Sequence, residues 1–247
     1  MGGSLLRASL FITCIADNFF PKVGDSVVKI LRKNGVDLDF PKDQTCCGQP
    51  AFNAGYWDEA KDLAKGLIRT FEKSEYVVSP SGSCVAMIKH DYPQLFAGDQ
   101  LWESRVKELV SKTYEFSQFL VNVLKIEDLG ARQQVKVVYH PSCHATRIME
   151  IHEEPIKLLH NVKELELLEL PNADQCCGFG GTFSVKMAAV SEEIVEEKVR
   201  NILESGADIV TGTDLGCLMN IGGRLEHQGH SVQAIHIAQL LAEGMEA

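Results

Sequence analysis

The chain has 247 residues, 45% of them hydrophobic and 23% charged, with a formal net charge of −10. That length supports one large domain or two ordinary ones. The acidic balance argues against nucleic acid and anionic membrane surfaces as partners. No apolar run reaches about 18 residues, so no transmembrane segment is expected.

Residues 8–16 are apolar and follow Arg7, an arrangement that superficially resembles an export signal. The run is short and leads into Cys14, so residues 9–13 read as a buried strand. Val23, Val27, Ile30 and Leu31 share one face of a helix over 23–34 that stops at Gly35. A short strand over 36–40 delivers the chain to Pro41 and the pair Cys46-Cys47. Ala60, Leu63, Ala64, Leu67, Ile68 and Phe71 make a second helical stripe. Strand 76–79 then precedes Cys84. A helix over about 101–124 is extra to the first half, and Trp57 and Trp102, which head amphipathic helices, are expected in the core.

The same order returns. Strand 135–139 precedes Cys143, helix 155–161 follows, and strand 165–170 leads to Pro171 and the pair Cys176-Cys177. Ser191 reads as the N-cap of a helix carrying Ile194, Val195, Val199, Ile202 and Leu203, with Gly206 ending it. Strand 209–211 precedes Cys217.

The eight cysteines thus form two sets, Cys14, Cys46, Cys47, Cys84 and Cys143, Cys176, Cys177, Cys217, related by an offset of about 130 residues. Residues 114–120 align with 235–241, at a somewhat smaller offset. The duplication predicts two tandem, pseudo-equivalent α/β units with parallel sheets flanked by helices, one over 1–130 and one over 131–247. Cysteines that follow strands gather at the carboxyl ends of such sheets, where α/β proteins bind their ligands.

Grouped cysteines of this kind point to the cytoplasm and to metal or redox chemistry rather than structural disulfides. Iron–sulfur clusters fit best. Several thiolates face one point, and Gly48, Gly178, Gly180 and Gly181 let backbone N–H groups approach a bulky anion. Adjacent cysteines suit a cluster, where two sulfurs reach different irons. Structural zinc remains open, although the C-x₂-C spacing of common zinc sites is absent. So do thiol–disulfide chemistry and plain burial of the thiols.

Cys…Cys-Cys-Gly…Cys, twice over, resembles the CCG cysteine-rich domain of heterodisulfide reductase B subunits and of glycolate and glycerol-3-phosphate dehydrogenase iron–sulfur subunits. Residues 45–51 (TCCGQPA), 78–84 (VSPSGSC), 176–187 (CCGFGGTFSVKM) and 216–225 (GCLMNIGGRL) resemble most closely the lactate utilisation protein A family, essentially end to end. The resemblance implies an iron–sulfur subunit, of four-iron type, in a multi-protein system oxidising L-lactate to pyruvate. It implies partners B and C, B being the ferredoxin-like component. The sequence shows no flavin or nicotinamide site to take two electrons from an alcohol, so the chain alone is not expected to oxidise lactate. The heterodisulfide branch ends its motif Cys-x-x-Cys. Here Ser81 and Asp214 stand at the first of those positions, where an oxygen suits iron less well than thiolate. A four-iron cubane, an oxygen-ligated variant and a half without a cluster all remain open.

His140 and His144 flank Cys143, as metal ligands, proton shuttles or plain loop residues. Phe11 and Ile15 hold the matching places in the first half, which makes the second half the candidate for the more reactive site. The glycines after Cys177 follow a cysteine pair rather than a first strand, so they are not a dinucleotide fingerprint. Lys186 and Arg224 are candidates to meet a carboxylate or a partner's acidic face. His227 and His230 read as loop residues.

Overall fold

Short strands buried on both faces need helices on both faces, and each half of the chain is built on that requirement. The computed structural model describes residues 6–245. Two compact units divide the chain, Met1–Phe119 and Leu120–Ala247. The first carries β1 (Leu6–Leu10), β2 (Val36–Asp39), β3 (Tyr76–Ser79) and β4 (Thr113–Glu115); the second carries β5 (Arg132–His140), β6 (Lys163–Leu168), β7 (Ile209–Gly212) and β8 (Gln233–His236). The strand orders are β2-β1-β3-β4 and β6-β5-β7-β8, and every pairing is parallel. Two α/β units of one topology are what the duplication predicts.

That topology fixes where a ligand can sit. From β1 the chain runs outward to β2, then returns to β3 on the other side and continues to β4. Connections leaving β1 and β3 diverge, opening a crevice at their carboxyl ends. Cys14 follows β1 and Cys84 follows β3; Cys143 and Cys217 follow β5 and β7. In the first unit Ala60, Ala64, Leu67 and Ile68 of helix Trp57–Thr70 pack with Phe71, Val77, Cys47 and Cys84. In the second, Val195, Val199 and Ile202 of helix Ala188–Ser205 pack with Val138, Val210, Cys177 and Cys217. Burying each large aliphatic side chain contributes about 1.5–3 kcal/mol, and the second cysteine of each pair, Cys47 or Cys177, is part of that buried core.

Several expectations need correction. The single helix over 101–124 is instead helix Glu103–Lys112, then β4, then helix Phe116–Gln118 and a π-helical turn Phe119–Val123. Thr113 adopts extended backbone at φ −95° and ψ 131°, and pairing with β3 outweighs local helix preference. β8 and helix Ile237–Gly244 repeat this strand-to-helix turn at the aligned residues 235–241. β1 ends at Leu10, before the expected 13, because Thr13 caps helix Cys14–Phe19. Ser191 lies inside helix Ala188–Ser205 and is not its cap; Gly206 does end that helix, at φ 70°. Trp57 is 61% exposed and stacks on Phe52, whereas Trp102 is buried with the guanidinium groups of Arg69 and Arg105 over its ring. His227 ends helix Leu215–His227 rather than lying in a loop.

Candidate metal centres

All eight cysteines are free thiols. In the first unit Gln44 fastens the approach to the pair: its side-chain amide accepts from Ile12 N at 2.9 Å and donates to the Leu10 carbonyl at 2.8 Å. Cys14 and Cys46 sulfurs lie 3.9 Å apart, and Gly48 N–H points at Cys46 Sγ from 3.5 Å. Gly48 holds φ +89°, which turns that N–H inward. Cys47 bridges Cys46 and Cys84 by sulfur hydrogen bonds. Tyr92 Oη donates to the Cys47 carbonyl at 2.8 Å, and Gln49 Nε2 donates to the Ser83 carbonyl at 3.1 Å, tying the pair to the segment bearing Cys84.

Charge is distributed accordingly. Cys14 and Cys47 both hydrogen-bond to Cys46, which holds the Cys46 thiol far below its ordinary value. The same bonds, with burial behind them, push Cys14 and Cys47 up. Sulfur atoms gathered this closely make an electron-rich arrangement suited to a cation.

The second unit repeats the layout with different supports. Gly178 N–H points at Cys176 Sγ from 3.3 Å, and Asn220 Nδ2 donates to the Cys177 carbonyl at 2.8 Å. Ser191 Oγ donates to the Gly178 carbonyl at 2.8 Å. Lys198, wholly buried, donates to the carbonyls of Asn172 and Ala173 at 3.0 and 3.1 Å, and Arg147 donates to that of Asp174 at 2.9 Å. Cys143 Sγ lies 3.6 Å from His144 Nδ1. Cys177 bonds both Cys176 and Cys217; the first bond draws it down, but the second and burial prevail and push it up. Burial and the nearness of Cys176 and Asp214 push Cys143 up.

His140 enters this cluster from the end of β5. The ligand atoms of His140, Cys177 and Cys217 all lie within 4.8 Å of one another, and all three residues are buried. Burial, with Lys198 nearby, pushes His140 down to about 3, so its imidazole is neutral and able to ligate. One nitrogen and two sulfurs about one point can hold a metal ion.

Ser81 and Asp214 take a local role. The Ser81 hydroxyl accepts from Cys84 N at 3.3 Å and an Asp214 carboxylate oxygen accepts from Gly216 N at 3.1 Å, so each caps the helix bearing the last cysteine of its set. Asp214 also raises Cys143 and Cys217, which places its charge at the cluster. Arg224 is held by Glu192 and Glu196 at 2.8 and 2.7 Å, which occupies the guanidinium.

Sequence reasoning missed Gln44, Tyr92, Lys198 and Asn220. Only Lys198 left a signal, a charge lodged in the apolar stripe of Val195, Val199 and Ile202. Replacing it with methionine is expected to destabilise the chain by about 1–3 kcal/mol, since two loop carbonyls lose their donor. Chemical denaturation checks this, and a change within error would show that the loop before Cys176 needs no anchor.

Parallel α/β units that present Cys, Cys-Cys-Gly and Cys at a topological switch point define a tandem cysteine-rich protein. The family model for the CCG cysteine-rich domain matches residues 8–89 and 137–222. The chain is 56% identical over 236 residues to lactate utilization protein A of Geobacillus sp. strain WCH70, covering 96% of this chain and 99% of that one. It is 53% identical over 236 residues to lactate utilization protein A of Halalkalibacterium halodurans, covering 96% of each. It is 50% identical over 240 residues to lactate utilization protein A 2 of Bacillus cereus strain AH820, covering 97% of this chain and 99% of that one. The chain belongs to the lactate utilization protein A family.

Proposed function

We propose that this protein is the iron–sulfur subunit of a multi-protein system that oxidises L-lactate to pyruvate, and that its task is to pass on the electrons. The observation that carries the reading is the placement of four free thiols at the carboxyl ends of each sheet, with an inward glycine N–H beside each pair. The donor set fits an iron–sulfur cluster: thiol sulfur dominates, and Gly48 and Gly178 clear the approach. Cys14, Cys46, Cys47 and Cys84 would hold a cluster of four-iron type in the first unit, and Cys143, Cys176, Cys177 and Cys217 one in the second. Such a group supplies one-electron transfer when bound.

The residues around it position and insulate. Gln44, Tyr92, Lys198 and Asn220 hold the loops still, and the buried apolar residues beneath exclude water. His144, beside Cys143, is the candidate for holding a proton near the second set. Lactate enters the reading through the family's naming. The proposed partners are lactate utilisation proteins B and C, and the proposed compartment is the cytoplasm, where thiols stay reduced. No helix among the described residues is long and apolar enough to cross a membrane.

A second reading has one observation in its favour. His140, Cys177 and Cys217 are compact enough to hold zinc, which would make the chain a scaffold that recruits redox partners.

Lactate-driven reduction tests the proposal. The anaerobic protein mixed with lactate alone is expected to stay oxidised, and adding proteins B and C is expected to bleach its iron–sulfur absorbance. Lactate turnover by the single chain, or no bleaching with both partners present, contradicts it.

A further inference from the structure

We infer that His140 supplies a nitrogen ligand to the metal centre of the second unit, alongside Cys177 and Cys217, so that the two units hold unlike centres. Histidine ligation presupposes the iron–sulfur reading above, and the experiment below separates the two.

Three observations converge on this residue. First, His140 is 2% exposed, and neither ring nitrogen has a hydrogen-bond partner among the described residues. A buried imidazole with both nitrogens idle is unfavourable unless something takes a lone pair. Second, a ligand atom of that ring lies within 4.8 Å of the sulfurs of Cys177 and Cys217. Those two thiols already contact one another, so a cation shared by them stands within reach of the ring. Third, the sheet makes room for it. His140 pairs in register with Gly212 on β7, and a Cβ at 212 would stand 3.1 Å from the His140 carbonyl oxygen. Glycine there lets β7 lie close against the residue.

The first unit shows what the same place looks like without that demand. Its counterpart is Phe11, fully buried, packed with Cys47 and Cys84 and set edge-on to Phe71 at 5.6 Å. A phenyl ring fills the space and needs no partner. Sulfur donors dominate the first unit, whereas the second adds one neutral nitrogen.

Pulsed electron paramagnetic resonance on the full-length protein decides the matter. The chain is labelled with ¹⁵N-histidine, purified without oxygen and reduced until its iron signal appears. The expected result is a strongly coupled histidine nitrogen that is lost in His140→Cys and His140→Phe and kept in His144→Gln. His140→Cys puts a thiolate where the neutral nitrogen stood, so the protein keeps its iron and one reduction potential shifts downward. His140→Phe borrows the packing of the first unit and controls for folding. Iron present without a coupled nitrogen, or coupling that survives in His140→Cys, overturns histidine ligation and leaves the iron–sulfur reading standing. A protein with no iron overturns both.

Discussion

Cys177→Ser is expected to lower the iron and acid-labile sulfide bound per chain by about half, roughly four irons where both units carry a four-iron cluster. Cys177 is the node of its set: it is buried, hydrogen-bonded to Cys176 and Cys217, and grouped with His140. A serine oxygen is a poorer iron ligand than a thiolate, and it leaves a buried hydroxyl where three donors converge. Cys47→Ser removes the equivalent node, between Cys46 and Cys84, and is expected to empty the first unit to the same extent. Iron and sulfide analysis of the two variants against the parent checks both. Unchanged iron in either would mean that the adjacent cysteines of that unit do not bind the metal.

Gly178→Ala is expected to be the most destabilising small substitution in the loops that carry the pairs. Gly178 sits at φ +82°, which L residues rarely adopt, and a Cβ there would stand 2.7 Å from the Ser191 carbonyl oxygen and 3.3 Å from Val195 N. Neither atom can retreat, because both belong to the backbone of helix Ala188–Ser205. Strain of this kind costs about 1–3 kcal/mol before the clash is added. A total of about 3 kcal/mol or more would lower the thermal midpoint by roughly 6–12 °C in a chain of this size. Gly48→Ala meets the Ala60 carbonyl oxygen at 3.3 Å and is expected to cost about half as much. Calorimetry on the metal-free proteins separates the two, and a larger loss at Gly48 than at Gly178 would contradict the geometry.

The contrast between these glycines illustrates how much the sequence discloses. Both Cys-Cys-Gly motifs are legible as repeats, and so is the α/β alternation, because β-branched runs and helical stripes recur in one order. The tightness behind Gly178 is not legible, since it depends on Ser191, a residue that reads as a helix cap. Ser191 has the chemistry of a cap but spends its hydroxyl on the Gly178 carbonyl from inside the helix. β4 was hidden for a related reason. Three residues between two helical stretches carry too little periodicity, and only pairing with β3 makes them a strand. Phe11 to Thr13 are apolar or β-branched and read as strand, yet the strand ends at Leu10 and Thr13 caps the helix that follows.

At the site, the two sets of cysteines were readable as sets from spacing alone. Their supports were not. Tyr92 and Asn220 reach the Cys47 and Cys177 carbonyls from distant segments, and no local pattern announces such a contact. Ser81 and Asp214 were readable as polar residues beside the last cysteines, but their capping of Cys84 N and Gly216 N emerges only from the helix starts. The difference between Phe11 and His140 was visible in the repeat. That the imidazole turns toward Cys177 and Cys217 is visible only in the fold.

The central claim is that these thiols hold iron–sulfur clusters, and its most direct test is the iron, acid-labile sulfide and zinc bound per chain after purification without oxygen. The account predicts about four or eight irons with matching sulfide and a brown protein. About one or two zinc ions with no sulfide, in a colourless protein, would contradict it and make the cysteine clusters structural.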